Sequence, residues 1–104
     1  MEIDKIIHEP ARLRVMMILA GLEQADFTFL ATTLGLTRGN LSRHIEKLES
    51  VGYVKVTKSF KGKVPNTSYQ LTQEGSKALA QYWGNLDAVR RIRPAGTKDA
   101  GIKG

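Results

Sequence analysis

Thr37, Arg38, Asn40, Ser42 and Arg43 lie within seven residues of one another in the stretch LTRGNLSRH, with Gly39 between them. A guanidinium offers five N–H donors in a rigid fork, and amide and hydroxyl groups add donors and acceptors beside it. Such a set can hold an anion or read a planar hydrogen-bonding edge. It has no means of breaking a bond. A second set, Lys58, Lys61 and Lys63, surrounds Gly62, with Pro65 limiting the flexibility of the stretch, and no acid occurs from Val51 to Gln73. Lysines at a turn are ordinary solvated decoration. Three of them without an acid suit a polyanion's backbone better, as point charges that attract without selecting.

Catalytic chemistry has little to work with. The chain carries two isolated histidines, His8 and His44, scattered carboxylates and no Gly-rich phosphate loop, so no nucleophile and base stand at a recognisable spacing. No enzyme and no cofactor are expected. With no cysteine, disulfides, thiolate metal sites and thiol redox sensing are excluded, and His8 with Glu9 is too small a set for another metal site.

The charge is placed where the donors are. The net charge is +6 over 104 residues. Residues 1–37 carry three Lys/Arg against five Asp/Glu, residues 38–66 seven against two, and residues 67–104 six against three. Bulk charge speaks to association and not to fold, and here it favours a polyanionic partner.

One domain is expected from the length, spanning residues 1–93, because a chain of this size buries only about 60–70% of its unfolded surface and has no room for a second core. Pro10 suits the first turn of a helix that continues through Leu13, Met16, Met17 and Leu19. Thr28 is expected to cap a short helix containing Phe29, Leu30 and Leu34, which Gly35 ends. Thr37 then caps a third helix over about 37–51. At about 100° per residue Leu41, Ile45 and Leu48 share its buried face, which leaves Gly39, Ser42, Arg43 and Glu46 outward, flanked by Arg38, Asn40 and Lys47. Two helices joined by so short a Gly-containing turn are a helix-turn-helix pattern. After Gly52 the period changes to two, giving a hairpin through Tyr53, Val54 and Val56, a long basic tip at about 58–66, and TSYQL. Thr72 caps a last helix to about Arg91. From Pro94 to Gly104 apolar periodicity is missing, and a disordered tail is expected.

The order of elements, with HEPARLRVMMIL in the first helix, LSRHIEKLE and VGYV in the third, and KSFKGKVPNTSYQLTQEG across the hairpin, resembles the winged helix-turn-helix of the short MarR- and ArsR-related regulators. The resemblance spans roughly Glu9 to Ala80 and implies an α+β, mostly α fold: a three-helix core, a two-stranded β-wing and an additional C-terminal helix. It also implies a sequence-specific transcriptional regulator that binds double-stranded DNA, with the third helix in the major groove and the wing on the backbone or minor groove. The expected contacts are Thr37, Arg38, Gly39, Asn40, Ser42, Arg43, His44, Lys47, Lys58, Lys61 and Lys63. Arg43 is the foremost candidate for a base, since a guanidinium pairs bidentately with guanine. Asn40 suits adenine or a helix cap, and Ser42 and Thr37 suit phosphate. His44 suits packing or phosphate. Glu46 suits an ion pair with Arg43 or Lys47, or a cytosine amino group. Gly39 weakens a helix by roughly 1 kcal/mol relative to alanine, which fits either close approach of a partner or a frayed first turn.

Leu79 and Tyr82 suit the core, whereas Trp83, Leu86 and Val89, with Ile3, Ile6 and Ile7, exceed what it needs and are expected to be exposed in a monomer. Together these eight are the expected homodimer interface, and a two-fold pair of reading helices implies a near-palindromic operator. A small organic effector would fit between the core and the dimer helices, although no residue specifies one. The rival reading is a winged helix used for protein or RNA contact. No stretch approaches the roughly 20 apolar residues of a membrane span, and the acidic amino terminus lacks the bases of a signal peptide. A soluble, cytoplasmic, nucleoid-associated protein is expected.

Overall fold

Glu9 and Pro10 open the first helix, α1 (Pro10–Ala20): the Glu9 carboxylate accepts the Arg12 amide at 2.8 Å, and proline at the first position sacrifices no helical hydrogen bond. The computed structural model describes residues 2–92, so the expected tail at 94–104 lies outside the described residues. After α1 come β1 (Ala25–Asp26), α2 (Phe27–Leu34), α3 (Arg38–Ser50), β2 (Val54–Lys61), β3 (Val64–Leu71) and α4 (Gln73–Arg90). The strands form one antiparallel sheet in the order β1-β3-β2. This is the winged-helix fold, with β2 and β3 as the wing.

Two local expectations change. The cap of α2 is Asp26 and not Thr28: the Asp26 carboxylate accepts the Phe29 amide at 2.8 Å, where its charge also meets the positive end of the helix. Asp26 is extended because it pairs with Ser68 in β1, a strand of two residues that carries no periodic signal in the sequence. The long basic tip is also shorter than expected. Pairing continues through Phe60 with Pro65 and Lys61 with Val64, and leaves a turn of Gly62 and Lys63 alone. Gly62 takes φ 65°, which glycine adopts without steric cost. Gly35 and Gly52 have positive φ as well and end α2 and α3, as their places in the sequence suggest.

Leu41, Ile45 and Leu48 of α3 are buried against Val15, Met16 and Leu19 of α1, Leu30 of α2, and Val54 and Tyr69 of the wing. Burying each such side chain contributes about 1.5–3 kcal/mol, so the core fixes which face of α3 is left for solvent. Leu79 and Tyr82 join this core from α4. Gly75, in the first turn of α4, lies where a Cβ would come 2.2 Å from the Tyr53 carbonyl oxygen. Thr72 locks the same corner: its hydroxyl accepts the Gly75 amide at 2.9 Å and donates to the Gly52 carbonyl at 2.6 Å.

The amino-terminal isoleucines depart from their expected exposure. Ile7 is fully buried in the core, and Ile3 and Ile6 pack partly buried against it. Asp4 is the reason: one carboxylate oxygen accepts the Ile6 and Ile7 amides at 2.8 and 3.2 Å, and the other accepts the Tyr53 hydroxyl at 2.6 Å. Asn85 adds a bond to the Glu2 carbonyl at 2.8 Å, and His8 pairs with the Tyr82 hydroxyl at 2.9 Å. The segment is thereby strapped onto its own domain.

Candidate nucleic-acid interface

The start of α3 carries the donors. Thr37, not Asn40, is its cap: Thr37 Oγ1 accepts the Asn40 amide at 3.1 Å, which leaves the hydroxyl hydrogen free to donate outward. The Asn40 side chain instead accepts from Arg43 Nη2 at 2.7 Å, so the two form one outward unit. Gly39 is helical and exposed, and a Cβ built on it would meet no atom within 4 Å. Nothing inside the domain requires a glycine there. Ser42 and Lys47 are exposed as well, Ser42 on the flank toward the wing and Lys47 on the flank toward α1.

Two clefts flank this helix. The one toward the wing, about 670 Å³, is lined by Arg38, Gly39, Ser42 and Glu46 of α3, by Asp26, Phe27 and Thr28, and by Lys58, Asn66 and Thr67 of the wing. Arg38 lies with its guanidinium carbon 4.6 Å from the centre of the Phe27 ring. Behind it the Tyr69 hydroxyl is held above its ordinary pKa, first by burial and then by the Glu49 carboxylate, an effect that Arg38 opposes. Asp26, Glu46 and Glu49 make the floor of this cleft partly acidic. Asp26 is already engaged by its cap bond and by Lys61, whose Nζ is 3.9 Å away.

The opposite cleft, about 400 Å³, is lined by Arg43, His44, Glu46, Lys47 and Ser50, with Arg12 reaching across from α1. His44 is half-buried, 3.3 Å from Arg12 Nη1 and 3.8 Å from the Glu9 carboxylate. Its ring therefore supports the junction of α1 and α3. Arg12 also donates through Nε to the Ile6 carbonyl at 2.6 Å.

Of the residues expected to bind, Thr37, Arg38, Gly39, Asn40, Ser42 and Arg43 converge on one exposed helix end, and Lys58 joins them across the wing cleft. Lys61 and Lys63 are exposed at the wing tip and line neither cleft. Arg12 and Phe27 complete the two flanks and carry no sequence signal, because their places depend on how α1 and α2 pack beside α3. Among the described residues no cluster of three potential metal ligands occurs, and no helix is long and apolar enough to cross a membrane.

On α4, Trp83 is 42% exposed and Val89 44% exposed, and Leu86 is half-buried against the core. A groove of about 1020 Å³ lies between α4 and the amino-terminal segment. Its lining sets Lys5 and Lys77 among Glu2, Asp4 and Glu74, and selects no ligand class.

A helix-turn-helix with an outward basic helix end and an adjoining two-stranded wing defines a winged-helix protein of the nucleic-acid-binding kind. The chain belongs to the winged helix DNA-binding domain family, whose model matches residues 11–89. That membership sets it among DNA-binding regulators and apart from enzymes. An uncharacterized protein of Methanocaldococcus jannaschii is 39% identical over 79 residues, which is 75% of this chain and 85% of that protein. The structure of a transcriptional regulator homologue from Pyrococcus horikoshii OT3 superposes with a TM-score of 0.77 at 34% identity, covering 82% of this chain and 84% of that one. A MarR mutant from E. coli complexed with operator DNA shares the fold, with a TM-score of 0.59 at 20% identity over 69% of this chain and 51% of that one.

Proposed function

We propose that this DNA-binding regulator acts as a homodimer on a near-palindromic site in double-stranded DNA, with α3 in the major groove and the wing on the backbone or minor groove. The observation that carries this reading is the exposed first turn of α3, where free helix N–H groups, Thr37, Ser42 and the Asn40–Arg43 unit surround a glycine with open space above it. Helix amino termini suit phosphate, and the first turn of a reading helix reaches base edges. Arg43 is assigned to a base, supported by Asn40. Thr37, Gly39, Ser42 and Lys47 are assigned to the backbone, as are Lys58, Lys61 and Lys63. His44 serves by holding α3 against α1. The MarR structure on operator DNA is consistent with this use of the fold.

The homodimer is supported by Trp83 and Val89, exposed along α4, with Leu86 beside them. Ile3, Ile6 and Ile7 are used within the domain and leave the interface to α4. A cytoplasmic location accords with this role, and a small organic effector would bind between the core and the dimer helices.

Selection of a site from random duplex DNA tests the reading. Arg43→Ala is expected to weaken the selected duplex by about 1–3 kcal/mol and relax one base position, whereas Lys61→Ala weakens all sequences alike and lowers the salt slope by about 1. Binding that is indifferent to both substitutions and to salt would leave protein or RNA contact as the use of this surface.

A further inference from the structure

We propose that Phe27 is a positioning residue that holds Arg38 as a second sequence-reading fork, directed into the cleft between α3 and the wing; the proposal rests on the DNA-binding reading above. Phe27 is the first residue of α2 and Arg38 the first of α3, so the helix-turn-helix packing alone brings them together. The Phe27 ring is itself fixed from behind, with Tyr69 of β3 at 6.3 Å between ring centres and an interplanar angle of 51°. Arg38 covers the ring from the solvent side at 4.6 Å.

The stacking matters because of what it leaves free. An ion pair would occupy the guanidinium's edge and neutralise its charge. An aromatic ring takes only a face, so the five edge donors remain available while the plane is held. Among the described residues no carboxylate lies within ion-pair distance of Arg38, and its guanidinium donates no intramolecular hydrogen bond. Arg43 differs: one of its nitrogens already donates to Asn40 at 2.7 Å. The two arginines also face different clefts, Arg38 beside Gly39, Ser42 and Lys58, and Arg43 beside Arg12 and Lys47. They are placed to read different base pairs.

A side chain immobilised before binding loses less freedom on forming a bidentate contact, which is how the ring beneath Arg38 raises affinity for the correct base. The test is a double-mutant cycle on the selected duplex. Phe27→Leu is expected to weaken binding about two- to five-fold, the equivalent of one exposed cation–π contact, and to relax the same base position that Arg38→Ala relaxes. In the Arg38→Ala background the leucine substitution should have no further effect, and Phe27→Tyr should restore binding. A purely structural role predicts equal losses in both backgrounds and across all sequences, and that result overturns the proposal.

The free protein supplies a second measurement. The Arg38 Nε–H resonance should be displaced by the ring current in the wild type and lose that displacement in Phe27→Leu. Absence of displacement in the wild type refutes the stacking itself. A displaced resonance in a protein that binds no duplex would instead refute the DNA-binding reading, so the two failures are distinguishable.

Discussion

Gly39→Ala sets folding against binding, and opposite signs are expected for the two. Gly39 has no positive φ and a Cβ there would enter open space, so alanine fits the free protein without strain. Replacing glycine at such a site stabilises by about 0.4–1 kcal/mol, mainly by restricting the unfolded chain, and raises the melting temperature by roughly 2–8 °C for a domain of this size. On DNA the expectation reverses. If a phosphate approaches the helix start closely enough to accept its N–H groups, the added methyl occupies that space and the contact is lost. One charge-assisted hydrogen bond contributes about 1.5–3 kcal/mol, so affinity should fall by roughly 10- to 100-fold. The loss should be nearly the same on matched and mismatched duplexes, since backbone contact carries no sequence choice. Thermal melting followed by circular dichroism gives the first quantity, and fluorescence anisotropy with a labelled duplex gives the second. A variant that is more stable and binds as tightly as wild type would refute close approach at Gly39. A variant that is less stable would refute the unstrained helix start.

Gly75→Ala should behave in the opposite manner, because its Cβ would meet the Tyr53 carbonyl at 2.2 Å and backbone cannot yield as a side chain can; a loss of about 1–3 kcal/mol or more is expected in denaturant unfolding. Tyr53 has its pKa pushed up to about 12, chiefly by its hydrogen bond to Asp4 and then by burial. Because the folded value exceeds the unfolded one, this stabilisation is complete below pH 10 and declines as pH rises toward 12. Asp4→Asn should bring the tyrosinate absorbance transition to lower pH and flatten that decline, and an unchanged titration would show that the hydrogen bond does not hold in solution. Trp83→Glu places a charge on the exposed face of α4, and sedimentation at tens of micromolar should report monomer for this variant and dimer for the wild type. A monomeric wild type at that concentration would remove the argument from the exposed apolar residues.

Much of this fold was legible because its signals are local. Thr37 and Thr72 cap their helices, Pro10 opens one, and Gly35, Gly52 and Gly62 mark the positions of positive φ among the described residues. The apolar spacing of Leu41, Ile45 and Leu48 settled which side of α3 is buried, and by subtraction which side carries Gly39, Ser42 and Arg43. Ile7 shows the limit. Its spacing resembles that of a spare apolar stripe, and only the Asp4 bonds to its own amide and to Tyr53, 49 residues away, turn it into the core. Asp26 is similar, since its cap role follows from an extended conformation imposed by pairing with Ser68.

Local chemistry set the order of the four helices and the hairpin, the buried face of α3 and the basic stretch from Arg38 onward, because backbone propensity, capping and apolar period act over a few residues. Tertiary structure alone decided the surroundings of those donors: Phe27 beneath Arg38, Arg12 beside His44, Lys58 across the cleft from Ser42, and Lys61 drawn toward Asp26. Each of these joins residues from separate elements. Their meeting depends on helix packing and strand register, which no short window of sequence contains.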